Sequence, residues 1–271
     1  MIDYHSHILP GVDDGAADTA EALAIAAILS EAGFTDVHCT PHRMSGSYEA
    51  TPQRIRAAVE ELRDAVDAAR IPLRLHVGSE YYSDEYLPAL LDIPLPLGDS
   101  SLILMEAPLQ ASSSLLSSTA FQVVCRGFSP LIAHPERCAI LRSAAGGEAG
   151  ARSLLGSVLK FAHDKLGNYR RKQPETELPD LLRSMGCLFQ GNLGSFAGIY
   201  GERVRRQAAH NLRTGLYDCL GTDVHTARGL ADWLPRALRE VENIVGAEGL
   251  NELLSPAAAS PAPSLCTAAC R

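Results

Sequence analysis

The chain opens on residue types that bind divalent metals. His5 and His7 lie two apart in Asp3-Tyr4-His5-Ser6-His7, and residues two apart in a strand point to the same side. The two imidazoles can therefore converge on one cation. Asp223 and His225 repeat this spacing near the C-terminus. Three segments between these ends carry the same residue types: Cys39-Thr40-Pro41-His42-Arg43, Gly78-Ser79-Glu80-Tyr81 and Ala133-His134-Pro135-Glu136-Arg137.

These five segments together predict a hydrolytic metal site. One His-x-His is explained as well by an ordinary buried histidine, whereas five segments, most of them after an apolar run, are not. Imidazole and carboxylate ligands without a thiolate suit Mn²⁺, Fe or Zn²⁺. Cys39 is better explained as a small buried strand residue than as a ligand. Close metal pairs generate hydroxide from water and hold both oxygens of an in-line displacement, which suits a phosphate monoester.

Composition narrows the class of protein. The 271 residues include 46% hydrophobic and 21% charged residues, enough for a full core. A formal net charge of −8 argues against a general nucleic-acid or anionic-membrane surface. No basic segment followed by an apolar stretch opens the chain, so we expect no secretory signal. The uncharged run Ala107–Cys125 is rich in Ser and Gln, so we expect no membrane span there. Seven irregularly spaced cysteines fit a reducing compartment, so we expect the cytoplasm.

A rhythm of strands followed by helices must position these ligands. The predicted strands are Met1–His7, Asp36–Thr40, Leu73–Val77, Ser101–Met105, Leu131–Ala133, Cys187–Gln190 and Tyr217–Leu220. The predicted helices are Thr19–Ala32, Pro52–Arg70, Asp84–Leu91, Leu115–Cys125, Leu178–Met185, Glu202–Thr214 and Leu230–Val245. Seven strand–helix units predict an α/β fold, a parallel sheet closed into a barrel, with the ligands at the rim where barrel enzymes build active sites.

Two segments break the rhythm. Residues from about 143 to 177 read as an insertion with a helix near Ser153–Leu166 that carries His163. Residues 255–271 are rich in Ala, Pro and Ser and predict a disordered tail. The predicted domain therefore spans residues 1–254.

The motifs resemble the polymerase-and-histidinol-phosphatase (PHP) superfamily, most closely the bacterial manganese-dependent protein-tyrosine phosphatases of capsule and exopolysaccharide operons. The resemblance covers roughly residues 1–245. His-x-His and Asp-x-His mark the superfamily, and the long opening through Asp13-Asp14-Gly15 together with His134-Pro135-Glu136-Arg137 marks the phosphatase branch. The resemblance implies a distorted (β/α)7 barrel with three metal ions at the C-terminal rim of its strands.

The resemblance also implies which residues bind these ions. Manganese is the favoured metal, with iron and zinc as alternatives. Asp13 could replace Asp14, and Glu106 is identified mainly by its place after a strand, so a solvated or salt-bridged Glu is its alternative. The implied ligand sets are His5, His7, Glu80 and Asp223 for one ion, Glu80, Glu106 and His134 for a second, and Asp14, His42 and His225 for a third.

The implied reaction is hydrolysis of protein phosphotyrosine by a metal-activated hydroxide, in the control of polysaccharide biosynthesis. Arg137 or Arg228 would bind the phosphoryl group bidentately, and Arg43 is a further option. His42 or a metal-bound water could protonate the leaving phenolate. The resemblance implies a tyrosine-autophosphorylating kinase of polysaccharide export as the partner.

Three rival functions stay open. The same metals could serve a small-molecule phosphomonoesterase such as a histidinol-phosphatase, or a non-catalytic regulator. Phosphodiesterase or exonuclease action is disfavoured, because the negative net charge of −8 does not suit a nucleic-acid substrate. A cysteine-based tyrosine phosphatase is excluded, because no cysteine is followed by Arg six positions later.

Some relatives form rings through an Arg at the start of the first helix. The segment Asp18-Thr19-Ala20-Glu21 lacks this Arg, so the sequence does not favour a ring. Another homo-oligomer is still an open alternative.

Overall fold

Parallel strands alternate with helices in the computed structural model, which describes residues 1–108, 112–141 and 177–255. One sheet has three strands in the order β1-β2-β4, and a second has six in the order β3-β5-β6-β7-β8-β9. Every strand pair in both sheets is parallel. The strands are β1 Ile2–Ser6, β2 Asp36–Cys39, β3 His42–Arg43, β4 Arg74–Val77, β5 Glu80–Tyr82, β6 Leu102–Glu106, β7 Ser129–Ala133, β8 Leu188–Asn192 and β9 Cys219–Gly221.

Helices connect these strands, as the sequence predicts. Two 3₁₀ turns, Pro135–Arg137 and Ala139–Leu141, follow β7. None of the described helices is long and apolar enough to cross a membrane. The helices are α1 Thr19–Glu31, α2 Pro52–Ala68, α3 Leu87–Leu90, α4 Ser113–Cys125, α5 Leu178–Ser184, α6 Leu193–Phe196, α7 Glu202–Arg213 and α8 Leu230–Leu253.

Helix α2 shows how local sequence sets these elements. Thr51 caps its N-terminus by accepting a hydrogen bond from the Arg54 N–H, and Pro52 occupies the first turn, where its missing N–H costs nothing. The predicted stripe of Ile55, Val59, Leu62 and Val66 is buried in the core. Burial of each such side chain contributes about 1.5–3 kcal/mol. The apolar periodicity therefore orients this helix on the sheet.

The prediction of seven strands is wrong in number, because two strands are interrupted. Thr40-Pro41 separates β2 from β3, and Pro41 lacks the N–H that a continuous ladder requires. Gly78-Ser79 separates β4 from β5, again with two residues between the strands. The helix Leu193–Phe196 was not predicted, and α8 runs past Val245 through a kink at Gly246 to Leu253. Both interruptions carry the chain from the first sheet into the second.

The two sheets meet along β1 and the segment after β9. Ser6 and Val224 form an isolated parallel bridge, the His7 N–H donates to the Val224 carbonyl at 2.9 Å, and the Asp223 N–H donates to the His5 carbonyl at 2.7 Å. The buried Asp3 carboxylate accepts hydrogen bonds from the Thr222 N–H at 2.8 Å and the Thr222 hydroxyl at 2.6 Å. This seam brings the first and last predicted ligand segments side by side.

Two predictions fall largely outside the described residues. The insertion of residues 143–177, with its helix Ser153–Leu166 and His163, lies outside them except for Glu177, and so does the tail beyond Ser255. Both stay predictions.

Removal of the Asp3 carboxylate should destabilise the fold. In Asp3→Ala the Thr222 N–H loses its acceptor in the interior, and the Thr222 hydroxyl is left with the longer contact to the His5 carbonyl at 3.3 Å. We expect a loss of about 2–4 kcal/mol in the free energy of unfolding. Urea denaturation measures this, with Asp99→Ala as the control because Asp99 is exposed. A change below about 0.5 kcal/mol in Asp3→Ala would show that the seam contributes little.

Candidate metal centre

The predicted ligands lie in strands or in the segments that follow them, and they gather in one cluster. His5 lies on β1, His42 begins β3, Glu80 begins β5 and Glu106 ends β6. The remaining ligands lie in the segments that follow strands. Three overlapping groups have ligand atoms within 4.8 Å of one another: His7, Asp14, His42 and His225; His5, His7 and Glu80; and His42, Glu80 and Glu106.

Four buried ligand atoms form the centre of the cluster. The Nε2 atoms of His5 and His7 lie 3.1 Å apart. Glu80 Oε2 lies 3.2 Å from the first and 3.3 Å from the second. Asp223 Oδ1 lies 3.3 Å from both. Two atoms bound to one ion at about 2.1 Å in tetrahedral or octahedral geometry are about 3.0–3.4 Å apart, so this spacing fits one divalent cation.

Glu80 supplies the clearest test of whether these residues fit a metal. Its Oε2 is fully buried and has no hydrogen-bond partner, although three imidazole nitrogens lie 3.1–3.3 Å away. A buried charged oxygen without a hydrogen bond is costly unless a cation compensates it. The surroundings of this oxygen therefore fit a divalent ion. Its other oxygen, Oε1, faces His134 Nε2 at 3.1 Å, so the carboxylate can bridge two ions.

The charges of the cluster favour bound cations. Burial disfavours the charged form of His5, but the carboxylates of Glu80 and Asp223 outweigh it and raise the pKa of His5 to about 9. Burial, with the charge of Glu80 second, raises the pKa of Glu106 to about 7. Glu106 Oε1 lies 3.9 Å from His134 Nε2. This field attracts protons, and it attracts divalent ions for the same reason.

The third predicted set is more open to solvent. Asp14 Oδ1 lies 3.6 Å from His42 Nε2 and 3.7 Å from His225 Nε2, and its side chain is 48% exposed. Asp13 is directed elsewhere. Its Oδ2 lies 2.6 Å from His7 Nδ1 and accepts the His42 N–H at 2.9 Å. Of the two acids, Asp14 therefore faces the imidazoles that the third ion would use.

Residues behind the ligands hold them in orientation. Gln190 Oε1 lies 3.0 Å from His5 Nδ1, on the side of the ring away from Nε2. Asp13 Oδ2 contacts Nδ1 of His7 in the same manner. Asp223 Oδ2 accepts hydrogen bonds from Asn192 Nδ2 at 2.8 Å and from the Tyr200 hydroxyl at 3.3 Å. Such partners fix the tautomer and rotamer of a ligand. These roles of Gln190, Asn192 and Tyr200 were not predicted from the sequence. Polar residues alternating at the end of strand β8 were the available signal for the first two.

Backbone geometry is unusual at two ligands. His134 has φ 33° and Asp223 has φ 54°, a region that residues other than glycine rarely adopt. Such conformations cluster at functional sites, where the surrounding structure holds them. A Cβ on Gly15 would lie 1.9 Å from the His7 carbonyl oxygen, so only glycine permits the Asp13-Asp14 loop to approach β1 this closely.

The three candidate arginines lie in different surroundings. Arg137 donates to Asp223 Oδ2 at 2.7 Å, and its guanidinium lies 4.6 Å from the ring centre of Tyr200. Arg228 is exposed, and its charge helps to lower the pKa of Glu21, behind the larger effect of the Thr226 hydroxyl. Arg43 is buried and donates to the Tyr81 hydroxyl and two backbone carbonyls, so it is neither solvated nor directed at the cluster.

Comparison with known proteins agrees with this architecture. The model of the CpsB/CapC family of capsular polysaccharide synthesis matches residues 1–148, so the chain belongs to that family. Tyrosine-protein phosphatase YwqE of Bacillus subtilis is 26% identical over 253 residues, covering 92% of this chain and 86% of the relative. Tyrosine-protein phosphatase CpsB of Streptococcus pneumoniae is 25% identical over 260 residues, covering 93% and 94%.

A solved structure extends the similarity to the fold. This structure is described among crystal structures of YwqE from Bacillus subtilis and CpsB from Streptococcus pneumoniae, which are called metal-dependent tyrosine phosphatases. It superposes on this chain with a TM-score of 0.73 at 26% sequence identity, covering 93% of this chain and 91% of the other. The family predicted from the sequence motifs is therefore confirmed.

Loss of the Asp13 carboxylate should weaken cation binding without removing a ligand. In Asp13→Ala the His7 imidazole loses its charged partner, and we expect the affinity for Mn²⁺ to fall about 10–100-fold. Titration calorimetry on metal-free protein measures this. Asp64→Ala is the matched control, because Asp64 is exposed on α2. Unchanged affinity in a folded Asp13→Ala protein would contradict the positioning role.

Proposed function

We propose that this protein is a metal-dependent protein-tyrosine phosphatase that regulates the synthesis of capsular or extracellular polysaccharide. The observation that carries the proposal is the buried Glu80 carboxylate, whose two oxygens face four imidazoles at 3.1–3.3 Å. Family membership and relatives named as tyrosine-protein phosphatases support the substrate class.

The proposed centre binds three divalent ions, with manganese favoured and iron or zinc as alternatives. Bound ions would activate water and offset the charge of a phosphate monoester. Glu80 would bridge two ions, which a carboxylate can do with its two oxygens. The proposed ligands are His5, His7, Asp14, His42, Glu80, Glu106, His134, Asp223 and His225. We further expect the seam between β1 and β9 to close the strands into a distorted (β/α)7 barrel, which the paired Ser6 and Val224 support.

Arg137 is the better of the two proposed phosphate-binding arginines. One of its nitrogens is held by Asp223, and stacking on Tyr200 fixes the guanidinium plane beside the cluster. Its side chain is 24% exposed, so donors remain for a phosphoryl oxygen. Arg228 is exposed and its charge acts on the Glu21 carboxylate, so it is the weaker candidate.

His42 suits metal ligation better than proton transfer. Its Nδ1 faces Glu80 Oε2 at 3.1 Å and its Nε2 faces Asp14 Oδ1 at 3.6 Å, so both ring nitrogens point at carboxylates. The leaving phenolate of tyrosine has a solution pKa of about 10, so it needs little acid assistance.

The proposed substrate is a phosphotyrosine protein, with a tyrosine kinase of polysaccharide export as its source. The cytoplasm is the proposed location. Among the described residues, no disulfide joins any of Cys39, Cys125, Cys138, Cys187 and Cys219, which supports a reducing compartment.

Chelation and substrate choice test the function together. We expect the full chain to hydrolyse a phosphotyrosine peptide, to lose more than about 100-fold of this rate after chelation, and to regain it with Mn²⁺. Arg137→Lys should raise KM about tenfold, because lysine cannot bind the phosphate bidentately, whereas Arg228→Lys should change it less than twofold.

Steady-state kinetics on this peptide and on histidinol phosphate separate the rivals. A preference for histidinol phosphate would assign a small-molecule phosphomonoesterase instead. A metal-loaded, folded protein inactive on both substrates would indicate a non-catalytic regulator. His7→Ala that retains full activity would remove the metal centre from the reaction.

A further inference from the structure

A pocket of about 350 Å³ outside the metal cluster is lined by three arginines. It lies among the loop after α6, the first turn of α7 and the middle of α8. Its charged lining residues are Arg205, Arg236, Arg239 and Glu240. The whole chain carries a formal net charge of −8, so a pocket lined by three guanidinium groups differs in sign from the chain as a whole. The pocket is thus a local site of positive charge.

The three arginines differ in how their charge is compensated. Arg205 makes two hydrogen bonds to Glu202 and a third contact with Glu240 at 3.4 Å, so it is held by carboxylates. Among the residues that the structure describes, Arg236 donates one hydrogen bond, to the Ala197 carbonyl at 3.1 Å. Within the described parts of the chain, exposed Arg239 has neither a hydrogen bond nor an ion pair. Two guanidinium groups at this pocket therefore keep donors and charge for an incoming anion.

A short loop connects this pocket to the metal cluster. Gly198 and Gly201 have φ of 81° and 88°, which turns the chain tightly around Ile199 and Tyr200. On one side the Tyr200 hydroxyl contacts Asp223, and its ring packs against Arg137. On the other side, the Cδ of Arg205 lies 3.6 Å from the position that a Cβ on Gly198 would take.

The surface between the two sites is apolar. Ile199 is 49% exposed and Tyr200 is 37% exposed, and both are large side chains on the tip of the loop. An aromatic ring beside a cluster that binds a phosphoryl group suits a phosphotyrosine side chain, and apolar contacts suit the residues next to it. The loop therefore offers apolar contact area beside residues of both sites.

We propose that the arginine pocket binds a second anionic side chain, phosphate or carboxylate, of the peptide whose phosphotyrosine enters the metal cluster. This inference rests on the proposed phosphatase function. Guanidinium groups bind both kinds of anion bidentately. Positive charge in a cleft also concentrates anionic ligands, so peptides with two anionic residues should be preferred over peptides with one.

Peptide kinetics on the metal-loaded full chain test this. Each peptide has one phosphotyrosine and, two, four or six residues away, a non-hydrolysable phosphonate analogue of phosphotyrosine, a glutamate or a glutamine. We expect the best-spaced anionic peptide to have a KM roughly five- to tenfold below that of the glutamine peptide. Arg236→Gln combined with Arg239→Gln should abolish this difference, while turnover of p-nitrophenyl phosphate stays within twofold.

Arg213→Gln is the matched control, because Arg213 is an exposed arginine of α7 outside the pocket. It should keep the full preference. A preference for the phosphonate peptide alone assigns the pocket to phosphate, and an equal preference for glutamate assigns it to anions in general. Equal KM values for anionic and neutral peptides in the unmodified protein would overturn the inference, and so would persistence of the preference in the double variant.

A binding measurement separates failure of the pocket from failure of the proposed function. If the unmodified protein hydrolyses no aryl phosphate, the proposed function fails. Fluorescence anisotropy then compares a labelled peptide carrying two phosphonate groups on the unmodified protein and on the double variant. A five- to tenfold weaker affinity in the variant supports the pocket, and an equal affinity refutes it.

Discussion

The buried charge of Glu80 and Asp223 is the constraint on which the rest of this structure depends. Both carboxylates lie in the interior, within about 3.3 Å of imidazole nitrogens, and Glu80 Oε2 has no hydrogen bond. Removing two carboxylates from water costs several kcal/mol each unless positive charge compensates them. The proposed divalent ions would provide this compensation, and the arrangement of imidazoles around the two carboxylates supports that proposal.

The second consequence of this charge is a shell of supporting polar residues. Glu136 shows how widely it extends. Its buried carboxylate accepts hydrogen bonds from the Asn192 N–H at 3.1 Å and from the hydroxyls of Ser195 and Tyr217 at 2.8 Å each. It ties the turn that carries His134 to the end of strand β8, where Asn192 contacts Asp223. Ligand segments far apart in sequence are thereby held at fixed spacing.

Much of the fold, and the grouping of the proposed ligands in one cluster, could be predicted from local sequence. The stripe of Ile55, Val59, Leu62 and Val66 and the capping residue Thr51 define α2 without tertiary information. His5 and Asp223 were recognisable because each lies two positions before a histidine, His7 and His225, directly at or after an apolar run. A parallel fold brings the ends of its strands to one rim, so polar residues after apolar runs could be placed there together.

What could not be predicted depends on contacts across the fold. Glu136 is an ordinary charged residue in sequence, and its partners lie 56, 59 and 81 positions away. Nothing local marks Tyr200 as a neighbour of Asp223, nor the pairing of Arg236 with the Ala197 carbonyl. The short strand His42–Arg43 was not predicted, because it forms only by pairing with β5 in the second sheet. Likewise Asp13 and Asp14 are equivalent in sequence, and only tertiary geometry directs the first to His7 Nδ1 and the second to the outer imidazoles.

The central claim is that acids and imidazoles from separate strands share one group of cations. Crystals of the full chain grown with Mn²⁺ and measured at the manganese absorption edge test this most directly. We expect three anomalous peaks, one for each proposed ligand set: His5, His7, Glu80 and Asp223; Glu80, Glu106 and His134; and Asp14, His42 and His225. A map with no peak among these side chains at saturating Mn²⁺ would contradict it.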